Sequence, residues 1–303
     1  NTLLTTAYGI TAAVESVVKP QSREMDGPTV AKYGVTGSRF PNEGIWASTF
    51  NTGLLHDVGE ILANDAAFAG YTGLWGMAVN IHRTPYGGRT HEYFSEDPYL
   101  SGTMAANEIQ GVQECGIVAG VKHFVFNDQE TNRNGIAIWL NEQAAREIYL
   151  KPWKYAVSPD AGNAHSVMSS FNRIGNTWTS ASRELITNIL RDEFGFDGYV
   201  ITDLANANGT SYMTTLDGIL AGTDCWLSSS TEHTFVPYQN NAVVANAMRD
   251  ACHRILYTIC NYSIAMNGYS EQTQIVVSVM WWEKLAMGLL IGFAALSVLS
   301  VLL

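Results

Sequence analysis

Four polar clusters carry most of the side chains able to do chemistry: Gly87-Gly88-Arg89 through Asp97, Lys122-His123, Asn127 to Arg133, and Asp203. Each follows a short apolar run. Asp203 comes directly after Tyr199-Val200-Ile201-Thr202, which places a carboxylate where a buried strand would end. Arg89, Lys122, His123, Arg133 and the earlier Asp26 add charged and polar groups that can donate and accept hydrogen bonds. Such a set suits a neutral ring covered with hydroxyls, held by many fixed contacts and opened by two carboxyl groups on opposite sides of one carbon. Asp203 supplies one of the two. Taken singly, each residue has an ordinary structural explanation: Asp203 as a helix cap, His123 as a satisfied core histidine, Arg89 as a partner of Glu92 or Glu96. The order of the clusters, each after an apolar run, favours a site.

The elements that must position these residues alternate along the chain. Residues 74–81, 120–126, 166–171 and 198–202 are expected as short buried strands, because each is apolar and each is followed by polar residues. Residues 57–69, 101–114, 141–157 and 182–194 show helical spacing of apolar side chains, with Ser182 capping the last. Residues 242–266 are expected to form a final long helix or helix pair that stops at Asn267-Gly268. Strand and helix in alternation imply an α/β fold with a parallel sheet. At 303 residues the chain is long enough for a (β/α)8 barrel, which takes about 250 residues and keeps its chemistry at the C-terminal ends of its strands.

Beyond spacing, several blocks resemble glycoside hydrolase family 3 over roughly residues 23–266. Ile81-His82-Arg83 to Gly87-Gly88-Arg89 and Phe94-Ser95-Glu96-Asp97-Pro98 are similar to its arginine loop. Val121-Lys122-His123-Phe124 and Asn127-Asp128-Gln129-Glu130-Thr131-Asn132-Arg133 resemble its Lys-His and Asn-Gln-Glu blocks. Val167-Met168-Ser169-Ser170-Phe171-Asn172 and Asp192-Glu193-Phe194-Gly195-Phe196-Asp197-Gly198 resemble the approach to its nucleophile strand. The resemblance implies the family's barrel domain, incomplete at its N-terminus, and a retaining double displacement with Asp203 as nucleophile. Asp26, Arg89, Lys122, His123, Arg133 and Met168 would hold the sugar. The run Phe124-Val125-Phe126-Asn127-Asp128 lacks the histidine loop of the hexosaminidase branch, which points to a β-glucosidase or β-xylosidase acting on a β-glycoside or oligosaccharide, with no cofactor.

The chain departs from the family in three places. Thr202-Asp203-Leu204 stands where Ser-Asp-Trp is usual, and Phe171 stands where a tyrosine usually hydrogen-bonds the nucleophile. The acid/base carboxyl of most members lies on a second, α/β sandwich domain, which the resemblance makes an expected partner. A chain opening on Asn1 and closing on an apolar tail would fit the C-terminal half of a member with reversed domain order. Glu92, Glu96 and Glu130 are the internal alternatives for the acid, and a non-catalytic carbohydrate-binding barrel is the alternative from another class.

Composition bounds the rest. With 28 acidic against 17 basic residues the net charge is −11, which argues against nucleic acid as a partner. Cys115, Cys225, Cys252 and Cys260 show no zinc-ligand spacing, so no metal is expected; on one helix Cys252 and Cys260 would stand about 12 Å apart, too far for a disulfide. Residues 285–303 carry no charge over 19 positions, long enough for a membrane helix flanked by Trp281, Trp282, Glu283 and Lys284. A buried globular helix is the competing explanation for that run. The expected organisation is a barrel domain over 1–268, a juxtamembrane linker over 269–284 and a single-pass anchor over 285–303, with the catalytic domain on the extracellular side.

Overall fold

The computed structural model describes residues 3–6, 9–27, 37–205, 209–228, 234–267, 279 and 281–302. Its main sheet has six strands in the order β2-β3-β4-β5-β7-β10: β2 (Ile10–Thr11), β3 (Ser22–Asp26), β4 (Gly73–Trp75), β5 (Val118–Phe124), β7 (Ser166–Ser169) and β10 (Tyr199–Ile201). All neighbours run parallel except β2, which runs antiparallel to β3. A parallel bridge from Ile201 to Cys225 carries the sheet toward β11 (Trp226–Leu227), which pairs in parallel with β1 (Thr5–Thr6). The result is a barrel-like α/β fold, as expected, with the antiparallel β2 as its departure from a uniform parallel barrel.

Helices fall between the strands. α2 (Thr52–Phe68) precedes β4, and α3 (Pro98–Glu114) precedes β5. α5 (Lys151–Val157) precedes β7, a π-helical segment (Glu184–Glu193) precedes β10, and α6 (Thr215–Ala221) precedes β11. α7 (Ala242–Tyr262) follows. The starts are written in the sequence. Asn51 accepts from the N–H of Leu54, and Asp97 accepts from Tyr99 and Leu100 with Pro98 at the first helical position. Ser182 accepts from Leu185 at 3.4 Å, two residues ahead of the helix it was expected to cap.

Period-two alternation divides the strand residues between two apolar clusters. Val121, Val167 and Val200 fall in one cluster with helix residues such as Leu62, Met104, Ile109 and Leu190. Met168, Tyr199 and Ile201 pack instead with Trp75, Phe171 and Trp226. The α2–α3 layer is close-fitting: a Cβ on Gly111 would stand 2.1 Å from the carbonyl oxygen of His56, so only glycine permits this crossing. Three of the four expected strands prove shorter than their apolar runs, and the fourth, β5, keeps its length but starts two residues earlier; β4 ends at Trp75, and Ala78 reaches its neighbours only through single bridges to Tyr93 and Lys122.

None of the four cysteines forms a disulfide. α9 (Trp281–Leu302) forms a unit by itself, distinct from residues 1–269. It is long and apolar enough to cross a membrane. It begins at Trp281, ahead of the expected anchor boundary, because Trp, Glu and Lys all accept helical backbone. Residues 275–278, in the apolar run before it, lie outside the described residues.

Candidate active site

The C-terminal ends of the parallel strands converge on a cleft of about 670 Å³. Asp26 comes from the end of β3, His123 from the end of β5, Met168 from β7, and Asp203 from just beyond β10. Arg89 and Arg133 enter from the loops after β4 and β5. These six line the cleft together with Phe171 and Leu204. Lys122, the seventh residue singled out from sequence, stands behind Asp26: its buried Nζ donates to Asp26 Oδ1 at 2.5 Å.

His123 is held by its backbone. Its N–H donates to Asn80 Oδ1 at 2.9 Å, and its carbonyl accepts from Asn80 Nδ2 at 3.1 Å. The peptide bonds Lys122–His123 and Phe124–Val125 are cis. From that anchor the imidazole Nε2 lies 3.5 Å from Asp203 Oδ2 and 3.3 Å from Arg89 Nη1.

Asp203 is the electrostatic centre of the cleft. Its Oδ1 accepts the N–H of Leu204 at 2.7 Å. Burial pushes its carboxyl above the ordinary aspartate value, while the Leu204 N–H and the charges of Arg133, Arg89 and Lys122 pull the other way. Arg133 in turn lies over the Phe171 ring.

The internal candidates for a second carboxyl are already engaged. Glu92 accepts both Nε and Nη2 of Arg89, at 3.2 and 2.5 Å, so the ordinary pairing of Arg89 with Glu92 is present. Burial alone would raise the Glu92 carboxyl, yet Arg89 and Lys122 hold it below its usual value, the wrong direction for a proton donor near neutrality. Glu130 accepts from Arg133 at 2.8 Å and from Asn127 at 3.1 Å. Glu96 is exposed and does not line the cleft.

One lining carboxyl escaped the sequence reading. Glu24 sits two residues before Asp26 on the same face of β3. It accepts the Trp75 indole N–H at 2.9 Å and a short hydrogen bond from the Tyr199 hydroxyl. Burial pushes its carboxyl up and the two donors hold it back. The alternation Ser22, Glu24, Asp26 was the available signal, but only Met25 is apolar in that strand and the segment does not read as one.

Comparison with known proteins decides the family. Residues 24–256 match the profile described as the glycosyl hydrolase family 3 N terminal domain. The chain belongs to glycosyl hydrolase family 3. A Ruminococcus albus β-glucosidase is 40% identical over 203 residues, 66% of this chain and 21% of that protein. A probable β-glucosidase I of Aspergillus niger is 37% identical over 265 residues, 81% of this chain and 30% of that protein. The structure of β-glucosidase 3B from Thermotoga neapolitana in complex with glucose aligns with TM-score 0.77 and 32% identity, covering 87% of this chain and 38% of that one. The family 3 chain thus spans between a fifth and a third of these curated relatives' length.

Proposed function

We propose that the cleft takes the terminal sugar of a β-glucoside and that Asp203 attacks its anomeric carbon to form a glycosyl-enzyme ester, which water then hydrolyses with retention. The observation that carries this reading is the position of Asp203. It is a partly buried carboxylate just beyond a strand end, with Arg89, His123, Arg133 and Asp26 lining the same cleft. Because Oδ1 accepts the Leu204 N–H, Oδ2 is the better attacking oxygen. The Asp26–Lys122 pair and Arg89 supply fixed acceptors and donors for sugar hydroxyls, and Met168 supplies an apolar wall. Relatives named as β-glucosidases favour a β-glucoside over a β-xyloside.

Among the described residues, the other carboxyls lining the cleft are Asp26 and Glu24. Asp26 is committed to Lys122, and Glu24 lies about 6.6 Å deeper along β3 than Asp26, pinned between Trp75 and Tyr199. The general acid/base is therefore assigned to a family α/β sandwich domain outside these walls. The tail is read as a single-pass membrane anchor that keeps the barrel on the extracellular side, with residues 269–280 linking the two.

A second reading, a sugar-binding barrel without catalysis, is favoured by Phe171, whose ring brings no hydroxyl to the nucleophile. Incubating the full chain with a 2-fluoro glucoside bearing an activated leaving group separates the two, because such a substrate needs little acid assistance. A covalent adduct on Asp203 by mass spectrometry is the expected result. Saturable sugar binding with no adduct would make the binding reading the correct one.

A further inference from the structure

Beside the catalytic cleft, a second cleft of about 570 Å³ is lined by two arginines, Arg173 and Arg183. Neither has a carboxylate within 4.0 Å among the described residues. Arg173 is fixed from behind: Nη1 donates to the Asn134 carbonyl at 3.0 Å, and its guanidinium carbon lies 3.8 Å from the Tyr212 ring centroid. Arg183 is exposed at the start of the Glu184–Glu193 segment, where a cation meets the positive end of the peptide dipoles. Two guanidinium groups lining one cleft, neither paired with a carboxylate among the described residues, form an anion-binding arrangement.

The remaining walls narrow the ligand. Asn176 and Thr177 add an amide and a hydroxyl, and Asp217 adds a carboxylate that accepts the Thr214 hydroxyl at 2.6 Å. A bare inorganic anion would use the arginines and leave Asp217, Asn176 and Thr177 unused. A neutral sugar would use Asp217, Asn176 and Thr177 and leave both arginines without a partner. A ligand carrying one carboxylate and several hydroxyls satisfies all five groups.

We propose that this cleft binds an acidic sugar of the uronate class, its carboxylate shared by Arg173 and Arg183 and its hydroxyls taken by Asp217, Asn176 and Thr177. The volume lies within the roughly 300–1,000 Å³ usual for small-ligand sites. The two clefts share a wall, because the Tyr212 hydroxyl donates to the carbonyl of Phe171 at 2.6 Å and Phe171 lines the catalytic cleft. An acidic sugar seated here lies next to a glycoside held over Asp203.

The test uses the full chain in detergent with D-glucuronate as probe, and D-glucose and inorganic sulfate as comparators, read by calorimetry and ligand-observed NMR. Glucuronate should bind saturably, about tenfold tighter than either comparator. Arg183→Gln should weaken it by about tenfold, and Arg183→Lys, which keeps charge without the fork, by less. Both variants should still form the 2-fluoro glucoside adduct, and glucuronate should still bind after Asp203→Asn. The proposal is overturned if sulfate binds as tightly as glucuronate, if glucose displaces it, or if Arg183→Gln leaves its affinity unchanged.

Discussion

The guanidinium carbon of Arg133 stands 4.5 Å from the centroid of the Phe171 ring. The stack fixes a cation whose charge lowers the Asp203 carboxyl. Phe171 is itself held in place, because Tyr212 donates to its carbonyl at 2.6 Å and Arg173 covers the outer face of the Tyr212 ring. Replacing Phe171 by tyrosine adds the missing donor. Phe171→Tyr should shift the acid limb of 2-fluoro glucoside trapping down by roughly half to one pH unit and speed trapping below it. An unchanged pH profile would show that a hydroxyl on this ring does not reach Asp203.

A nucleophile must be ionised, and burial makes that harder for Asp203. Trapping in the wild-type chain should therefore rise with pH through a midpoint above the ordinary aspartate value of about 3.9. Asp203→Asn should give no adduct at any pH while retaining sugar binding, since the asparagine keeps the shape and accepts the Leu204 N–H. An adduct formed at another residue of the Asn variant would remove Asp203 from the mechanism.

How far these residues could be read from sequence follows from what each depends on. Asp203 was legible because it directly follows an apolar run, and in a barrel-like sheet polar residues after strands gather at one end; His123, inside β5, and Arg89, in the loop after β4, were legible through the blocks that resemble the family. The strand bearing Asp26 was not, since Ser22-Arg23-Glu24-Met25-Asp26 turns polar side chains toward the interior and hides the usual apolar signal. Tyr212 was invisible for another reason. Its ring and hydroxyl matter only through Arg173 and Phe171, which tertiary packing brings to it. α9 starts ahead of the uncharged run because absence of charge marks the part that fits hydrocarbon, whereas the helix itself accommodates Glu283 and Lys284.

Stability should carry its own pH signature from Glu43 and Glu108, both fully buried. Burial pushes the two carboxyls up, and the Glu108 charge adds to the rise at Glu43. A carboxyl whose folded pKa is raised stabilises the fold fully below its unfolded value, about 4.3 for glutamate, and loses that contribution as pH climbs through the folded value. Thermal stability should accordingly fall from about pH 4.3 up to the Glu108 value of about 8. Glu108→Gln, which mimics the protonated acid, should raise the melting temperature by about 2–4 °C at neutral pH and have little effect near pH 4. A lower melting temperature at neutral pH would mean that a Glu108 carboxylate stabilises the fold.

The tail makes the last prediction, and it separates composition from location. α9 spans Trp281–Leu302, and none of its apolar window is buried against protein. At about 1.5 Å per residue, 22 residues reach about 33 Å, enough to cross a hydrocarbon core of roughly 30 Å. Trp281 and Trp282 would then sit at the interface with Glu283 and Lys284. In water the exposed Leu, Ile and Phe side chains of this helix would drive self-association instead. The full chain should float with phosphatidylcholine vesicles and stay with them in carbonate and high salt, and a chain truncated after residue 280 should remain in the aqueous fraction. Co-flotation of both would move membrane attachment to the barrel. Absence of both from the vesicles, with the full chain recovered as oligomers, would make α9 an association helix.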